Sequence, residues 1–368
     1  MKKIYSFLKH EPVFLISFLA AALSCFFVPP DNLYIDYIDF RTLALLYALM
    51  IVVAGLRQAG TFSTLAHTLC LRAKSTRSIG LMLICLCFFS SMLITNDVAL
   101  LTFVPFSVIV LTMADRKQDL IRVVVLQTVA ANLGSMLTPV GNPQNLYLYS
   151  FYNISFSDFI SMTFPVWILS LILLLASCFL LSNARLDTSL DKKDTLQYKS
   201  LCVHGILFLV CLLTVIRVLT WPIMLAIVVL VLLIFDRKLL LKADFILLLT
   251  FVAFFIFAGN LARIDAINKL LSSLLAGREY WTSLATSQVI SNVPAALLLS
   301  SFTANAKALL LGVNIGGLGT PIASLASLIS LKLYSGTEGS RLGKFMLEFL
   351  VVNIVLLVIL SIFYMIIA

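Results

Sequence analysis

The stretch Asn132-Leu-Gly-Ser-Met-Leu-Thr-Pro139 returns later in the chain as Asn314-Ile-Gly-Gly-Leu-Gly-Thr-Pro321. The four identical positions, occupied by Asn, Gly, Thr and Pro, are each separated by 182 residues. Gly and Pro interrupt helices, and unpaired polar groups are costly in hydrocarbon, yet both copies lie inside long apolar segments. A matched pair of interrupted apolar segments is typical of membrane folds with an inverted repeat, in which the breaks form a binding site.

A short polar triplet lies upstream of each copy, also inside an apolar stretch. The first triplet is Thr95-Asn96-Asp97, and the second is Ser291-Asn292-Val293. Each predicts a second interruption in its half of the chain, at the tip of a helical hairpin that is covered by protein or faces a water-filled cavity.

The composition is that of a membrane protein. Of the 368 residues, 61% are hydrophobic and 12% are charged, whereas a soluble domain has about 25% charged residues. The net charge of +9 comes from Lys and Arg in short loops between apolar runs, which the positive-inside rule explains without a nucleic-acid partner. The seven cysteines lie in or beside apolar segments, where buried thiols are expected rather than a metal site.

The order of elements predicts an all-α polytopic membrane protein with an inverted repeat, two re-entrant hairpins and two broken transmembrane helices. Short amphipathic stretches at 61–71 and 266–276 predict an interfacial helix in each repeat. The predicted first repeat is 1–184, with a hairpin at 79–113 and a broken span at 121–150, interrupted from Gly134 to Pro143. A cytoplasmic linker and bridging span follow at 185–218. The predicted second repeat is 219–368, with a hairpin at 280–304 and a broken span at 306–335, interrupted from Gly312 to Pro321.

Charge predicts the orientation of the spans. Basic residues flank 79–113 on both sides, which places both ends of that hairpin in the cytoplasm. These residues are Arg72, Lys74 and Arg77 before it, and Arg116, Lys117 and Arg122 after it. The second hairpin is predicted to enter from outside. The chain is therefore predicted to cross the inner (plasma) membrane nine times. Its N-terminus then lies in the cytoplasm and its C-terminus on the outside.

A helix break at mid-membrane offers two kinds of binding group. The N-terminus of a half-helix exposes N–H groups and a partial positive charge, which suit an anion. Unwound carbonyls and side-chain oxygens suit a hard cation such as Na⁺. Asn96 and Asn292 each carry both an acceptor and a donor, so each can contact a cation and an anion together.

Asp97 is the one carboxylate deep within an apolar segment. A buried carboxylate beside an anion must be neutralised by a proton or a cation, which couples substrate binding to H⁺ or Na⁺. The alternative is that Asp97 only caps the helix that begins at Val98.

These motifs resemble the ion transporter superfamily, which includes arsenite permeases, Na⁺/H⁺ antiporters and Na⁺-coupled carriers of dicarboxylates, citrate and sulfate. The segment from Gly312 to Ser327 is most similar to the arsenite-permease branch. In the Na⁺-coupled carriers the tips read Ser-Asn-Thr; neither tip here has that third Thr, which favours H⁺ as the coupled ion.

Together, the residue chemistry and the resemblance predict two overlapping groups of site residues. The substrate-binding group is Thr95, Asn96, Ser291, Asn292, Thr138, Pro139, Thr320 and Pro321. The ion-coupling group is Asp97, Asn96, Gly134, Asn132, Asn292, Asn314 and Gly316, with Na⁺, if used, at the same residues.

The predicted function is secondary active transport of a small anion by alternating access, coupled to H⁺ or Na⁺. The anion is a carboxylate or an inorganic oxyanion, with arsenite among the candidates. The alternatives are a Na⁺/H⁺ antiporter without an anion substrate, or an ion channel. No cofactor other than Na⁺ is expected, and no enzyme activity, because Asp97 has no partner acid. The expected surroundings are membrane lipid; a homodimer and a partner ATPase stay open.

Overall fold

The computed structural model describes residues 12–70, 75–113, 116–184 and 196–368, and the regular elements within those ranges are helices. The first are α1 (Pro12–Phe27), α2 (Leu33–Asp36), α3 (Phe40–Gln58), α4 (Thr61–Cys70), α5 (Thr76–Ile94), α6 (Asn96–Met113), α7 (Lys117–Gly134), α8 (Pro143–Phe151) and α9 (Phe156–Cys178). The others are α10 (Tyr198–Val215), α11 (Trp221–Phe235), α12 (Phe245–Arg263), α13 (Asp265–Leu275), α14 (Glu279–Ile290), α15 (Asn292–Leu299), α16 (Ala306–Ile315), α17 (Leu325–Ser335) and α18 (Leu342–Ile367).

Within the described ranges, eight helices are long and apolar enough to cross a membrane. They are α3, α5, α6, α7 with the turn after it, α9, α10, α12 and α18. A helix of 18 to 20 residues is about 27–30 Å long, which matches the hydrocarbon thickness of a bilayer. Side chains such as Leu347 and Ile366 of α18 are largely exposed, as expected for a lipid-facing surface. The prediction of an all-α, multi-span membrane protein is confirmed.

The spans differ in detail from the nine crossings that the sequence predicts. Each arm of the hairpin predicted at 79–113 is itself a helix of span length, α5 with 19 residues and α6 with 18. The crossings predicted at 12–30 and 221–236 are shorter helices, α1 with 16 residues and α11 with 15. The re-entrant course of the hairpins therefore stays a prediction.

The predicted orientation depends partly on residues outside the described ranges. The basic residues Arg72 and Lys74 lie there, as does most of the predicted linker, 185–195. The two predicted interfacial helices are described, and both are short helices, α4 and α13.

Each half of the chain contains a group of three helices around its polar tip. In the first half α5 packs against α6 and α7, and in the second half α14 packs against α15 and α16. The helix that follows each break packs against the opposite group: α8 contacts α15, and α17 contacts α6 and α7. The two breaks are therefore held between the two hairpins.

The two breaks have similar local structure. After α7, two 3₁₀ turns, Ser135–Leu137 and Pro139–Gly141, lead to α8, and after α16 the turn Pro321–Ala323 leads to α17. The predicted start of the second break at Gly312 is wrong by about one turn, because Gly312 lies inside α16. Its missing side chain instead allows α16 to approach Tyr280 and Ser283 of α14.

Candidate functional site

The two tips share an unusual backbone conformation. Thr95 has φ 70° and ψ 151°, and Ser291 has φ 77° and ψ 154°. Residues other than Gly rarely adopt positive φ, and such strain costs roughly 1–3 kcal/mol and often marks functional sites. The same strained geometry recurs at the residue before each tip asparagine, Asn96 and Asn292.

The threonine before each break proline, Thr138 or Thr320, forms a hydrogen bond with the hairpin of the same half. Thr138 Oγ1 donates a hydrogen bond to the carbonyl of Met92, and Thr320 Oγ1 donates to the carbonyl of Gln288 at 3.1 Å. Met92 and Gln288 occupy equivalent positions, each four residues before the tip asparagine. The hydroxyls of Thr138 and Thr320, which the sequence predicts to bind substrate, therefore donate hydrogen bonds to backbone carbonyls. The neighbouring prolines, Pro139 and Pro321, each begin a 3₁₀ turn.

Glycines bring each broken span close to its hairpin. A side chain on Gly134 would collide with Phe88 and Ser91 of α5, and one on Gly316 would press on Leu284 and Ser287 of α14. These contacts are equivalent too, because Phe88 and Leu284 both lie eight residues before the tip asparagine.

We therefore expect Gly134→Ala to destabilise the protein by about 1–3 kcal/mol, the usual cost of overpacking a close contact. The matched control is Gly205→Ala in α10, where an added methyl would meet nothing within 4 Å. Thermal unfolding in detergent should show a clear loss for Gly134→Ala and none for Gly205→Ala. Equal melting temperatures for the two variants would contradict the close approach.

Reciprocal hydrogen bonds join the two breaks. Asn132 Nδ2 donates to Ser324 Oγ at 3.0 Å, and Asn142 Nδ2 donates to Asn314 Oδ1 at 3.2 Å. Asn132 and Asn314 are separated by 182 residues, and so are Asn142 and Ser324. Asn132 in the first bond therefore corresponds to Asn314 in the second, and Ser324 corresponds to Asn142. This is the pattern expected for two elements related by a two-fold axis.

The bonded residues also begin the helices that follow the breaks. Asn142 caps α8 by accepting from Asn145 N at 3.0 Å, and Ser324 caps α17 by accepting from Ser327 N at 3.1 Å. A side-chain cap satisfies one of the free N–H groups at a helix start, which fixes where the helix begins. The same two residues thus set the geometry of the half-helices and connect the halves.

The amide network reaches one tip directly. Asn96 Nδ2 donates to Asn132 Oδ1 at 3.2 Å, whereas in the described ranges no side-chain hydrogen bond joins Asn292 to Asn314. Asn314 Nδ2 donates instead to Asn145 Oδ1 at 2.7 Å. The two halves therefore have the same backbone conformation at their tips but different side-chain hydrogen bonds from their tip asparagines.

Two glutamine side chains form hydrogen bonds near the two hairpins. Gln288 Nε2 donates to the carbonyls of Gly316 and Leu318 at 2.7 and 2.9 Å, and Gln288 Oε1 accepts from Thr320 N at 2.9 Å. Gln127 bonds Ser107 of α6 at 2.9 Å. Both side chains hold neighbouring backbone or helices in place.

A cavity of about 600 Å³ reaches the first tip, and we call it the Asp97 cavity. Its inner end is formed by Thr95, Asp97, Asn142 and Pro143. Its mouth is formed by exposed polar residues, namely Arg57, Gln58, Lys242 and Asp244. Asp97 Oδ1 is shielded from solvent and has no hydrogen-bond partner in the described ranges. Because no protein group in those ranges bonds this oxygen, it can bind a proton or a cation. The alternative that Asp97 caps a helix beginning at Val98 is wrong, because α6 begins at Asn96 and Asp97 lies within its first turn.

A comparison with known families decides the class of protein. The family model described as citrate transporter matches residues 7–310, which include both tips and the first break. The chain belongs to the citrate transporter family. The resemblance to the ion transporter superfamily is thereby confirmed, and this member of the citrate transporter family is a membrane transporter.

Two relatives of this citrate transporter family member match over most of their length. An uncharacterized transporter of Methanocaldococcus jannaschii is 35% identical over 324 residues, which cover 84% of this chain and 85% of that protein. The inner membrane protein YbiR of Escherichia coli is 31% identical over 305 residues, 80% of each chain. A shorter match is the silicon efflux transporter LSI3 of rice, Oryza sativa subsp. japonica, 32% identical over 133 residues, 36% of this chain and 27% of that protein.

In this family member the structure joins Asn96 to Asn132 and Asn142 to Asn314 through side-chain amides. The Ser135 hydroxyl links the two pairs, because it accepts from Asn142 Nδ2 at 3.1 Å and donates to the carbonyl of Asn132 at 2.9 Å. Thr95 and Asp97 both line the Asp97 cavity. Ser291 and Asn292 lie beside the second break, with Asn292 next to Gly317. Sequence reasoning missed five residues of this region: Asn142, Ser324, Arg57, Lys242 and Asp244. The first two could have been found by extending the 182-residue offset beyond the Thr-Pro pairs.

Proposed function

We propose that this protein is a secondary active transporter that moves a small anion, a carboxylate or an inorganic oxyanion, across the inner membrane. The observation that carries the proposal is the pair of reciprocal bonds between the breaks, Asn132–Ser324 and Asn142–Asn314. A site shared by two equivalent elements can be exposed to either side of a membrane when one half rocks against the other. Transport by alternating access needs that arrangement.

We propose further that the two halves form an inverted repeat with hairpins that enter from opposite sides. The matched backbone at Thr95 and Ser291 supports this proposal, as do the matched contacts of Thr138 and Thr320. In this proposal the mouth of the Asp97 cavity faces the cytoplasm, since Arg57 and Lys242 follow the positive-inside rule.

The coupled ion binds at Asp97 in this proposal. Asp97 lies in the first turn of α6 and lines the cavity, and its oxygen Oδ1 is shielded from solvent and has no hydrogen-bond partner in the described ranges. A carboxylate so placed repels an anionic substrate until it binds H⁺ or Na⁺, which makes substrate binding depend on the coupled ion. The backbone carbonyls of the breaks are further oxygens for Na⁺.

A Na⁺/H⁺ antiporter without an anion substrate is the second candidate. The observation that favours it is the shielded carboxylate of Asp97, to which H⁺ and Na⁺ could bind in turn. The two functions differ in cargo: the antiporter moves Na⁺ in the absence of any transported anion, and the anion transporter does not.

The test is uptake into proteoliposomes that contain the purified protein. Labelled citrate, succinate, sulfate, arsenite and ²²Na⁺ are offered separately, each with and without a pH gradient or a Na⁺ gradient. We expect saturable uptake of at least one of the anions or arsenite, accelerated by one of the two gradients. Gradient-driven ²²Na⁺ uptake without any anion would support the antiporter. Rapid flux that ignores both gradients would indicate a channel and contradict the proposal.

A further inference from the structure

Two arginines lie at the ends of spans that are remote from the mouth of the Asp97 cavity. Arg41 is the second residue of α3, and Arg217 lies two residues beyond the end of α10. Arg41 and Arg57, which lies at the mouth, are 16 positions apart in one helix, or about 24 Å along its axis. The two arginines are therefore separate from the candidate functional site.

The positive-inside rule does not account for these two cations. α3 carries an arginine near each end, Arg41 and Arg57, and α10 carries Lys199 near its start and Arg217 just beyond its end. Lys199 and Gln58, the neighbour of Arg57, line one surface cavity, so they mark the same side of the protein. The rule explains basic residues on one side of a membrane, and Arg41 and Arg217 lie on the other.

The two guanidinium groups meet at a buried tyrosine. Tyr149 Oη donates to the carbonyl of Val215, at the end of α10, at 2.8 Å. The guanidinium carbon of Arg217 lies 5.1 Å from the centroid of the Tyr149 ring, within the range of a cation–π contact. Arg41 lies close enough to Arg217 for the two positive charges to repel each other. The fold therefore holds two like charges together at one place.

Neutral acceptors position both guanidinium groups. Arg41 Nη2 donates to the carbonyl of Thr214 at 3.4 Å. Arg217 donates to two carbonyls of the turn between α8 and α9, through Nη1 to Asn153 at 3.4 Å and through Nη2 to Ile154 at 2.8 Å. Arg217 also has φ 66°, a backbone conformation that residues other than Gly rarely adopt and that often marks functional sites. These contacts fix the cations without neutralising them.

In the part of the chain that the structure describes, neither arginine forms an ion pair with a carboxylate. The ion pairs there are Arg122–Glu348 and Arg263–Asp31. Asp39, two residues before Arg41, attracts it less strongly than Arg217 repels it. The carboxylate of Asp39 caps α3, where it accepts from the backbone N and the hydroxyl of Thr42. An anion that binds both guanidinium groups would relieve their repulsion, and arginine binds phosphate through two parallel N–H groups.

The surface next to the two arginines is apolar. Phe40 precedes Arg41, and Ile216 and Val218 flank Arg217; these three side chains are 47%, 45% and 71% exposed. Exposed apolar side chains at the end of a span contact lipid acyl chains, and a neighbouring arginine reaches the headgroup layer. A lipid presents a phosphate and acyl chains together, whereas a soluble anion would leave the apolar surface uncovered.

We propose that Arg41 and Arg217 bind the phosphate group of an anionic membrane lipid. The acyl chains of that lipid lie against Phe40, Ile216 and Val218. The bound phosphate neutralises the two guanidinium groups and connects the start of α3 to the end of α10. This lipid site depends neither on the transported substrate nor on the coupled ion.

The test is titration of the purified protein in neutral detergent with phosphatidylglycerol, measured by native mass spectrometry. We expect Arg41→Gln and Arg217→Gln each to raise the Kd of the first bound phosphatidylglycerol about 5- to 20-fold, since each removes a partly solvated hydrogen bond to a charged group. Arg41→Lys keeps the charge but not the paired N–H groups, so its loss should be smaller. Phosphatidylcholine with the same acyl chains should bind more weakly, because its headgroup has no net charge.

The matched control is Arg278→Gln, which removes the same charge from an exposed position beside Glu279. It should change the Kd of phosphatidylglycerol less than about twofold, since a single exposed charge contributes little. Unchanged phosphatidylglycerol binding by Arg41→Gln and Arg217→Gln would overturn the inference. An equal loss in Arg278→Gln, or equal binding of phosphatidylcholine by the wild type, would overturn it too.

Inorganic phosphate distinguishes a lipid site from a site for a soluble anion. An excess of inorganic phosphate should leave phosphatidylglycerol bound, because phosphate has no acyl chain to cover the apolar side chains. Displacement of the lipid by phosphate at a similar Kd would rule out a lipid as the ligand.

Thermal unfolding distinguishes binding from a purely structural role. Arg217→Gln removes two bonds to the turn between α8 and α9, so its melting temperature should fall, whereas Arg41→Gln loses one long bond. Added phosphatidylglycerol should raise the melting temperature of the wild type more than that of either variant, as ligand linkage requires. Equal increases in the three proteins would show that the arginines are structural contacts only and would contradict the lipid site.

Discussion

Replacing Asn96 by alanine is expected to lower transport about 10- to 150-fold, because in the proposed site its side chain also bonds the charged substrate or ion and losing one such hydrogen bond has that cost. Asn96 Nδ2 donates to Asn132, and Asn96 Oδ1 accepts from Asp97 N at 3.0 Å, so the side chain connects the tip to the break. Asn292→Ala should have a similar effect, since Asn292 occupies the equivalent position beside Gly317. Initial uptake rates in proteoliposomes measure both losses.

The matched control for these variants is Asn353→Ala in α18. Asn353 is also a fully buried asparagine, and its Nδ2 donates to the carbonyl of Phe349 at 2.8 Å, away from both breaks. That variant should lose stability without a specific loss of transport per folded molecule. Near-normal uptake by Asn96→Ala and Asn292→Ala would show that the two tip asparagines only cap helices and do not bind substrate or ion.

Asp97→Asn is expected to remove the dependence of transport on the coupled ion while the protein still folds. Asparagine is nearly isosteric with aspartate, and the position lies within the first turn of α6, so the substitution separates the charge from the structure. If H⁺ is the coupled ion, substrate binding to the wild type strengthens as pH falls and ignores Na⁺. If Na⁺ is the coupled ion, binding rises with Na⁺ and acid competes with it.

The matched control is Asp244→Asn, which removes a carboxylate from the exposed mouth of the same cavity and retains a capping side chain for α12. It should keep the ion dependence of the wild type. Substrate titrations at two pH values, in Na⁺ and in K⁺, measure both variants. An Asp97→Asn protein with unaltered pH and Na⁺ dependence would show that Asp97 does not bind the coupled ion.

Local sequence signals predicted most of the fold. The tips at Asn96 and Asn292 and the start of the first break at Gly134 were predicted because Gly, Pro and polar residues are conspicuous in apolar segments. The second break was placed one turn too early, because Gly312 was interpreted as a helix breaker. In the structure it serves close packing of α16 on α14, and sequence alone does not distinguish these two uses of glycine.

The contacts between the halves could be predicted less well. The bond Asn132–Ser324 joins residues 192 apart, and Asn142–Asn314 joins residues 172 apart, so no local pattern indicates either. In the sequence, Arg57 and Lys242 are two of the many loop cations that the positive-inside rule explains. They line one cavity with Asp97 in the folded protein, which their positions along the chain do not show.

The most direct test of alternating access at two inverted tips is the labelling of Thr95→Cys and Ser291→Cys, each in a protein without its seven native cysteines. A membrane-impermeant maleimide is applied to sealed right-side-out and inside-out vesicles, with and without substrate. The account predicts that the thiol introduced at position 95 reacts from the side of Arg57, and that the thiol introduced at position 291 reacts from the opposite side. Labelling of both positions from one side only, under every condition, would contradict it.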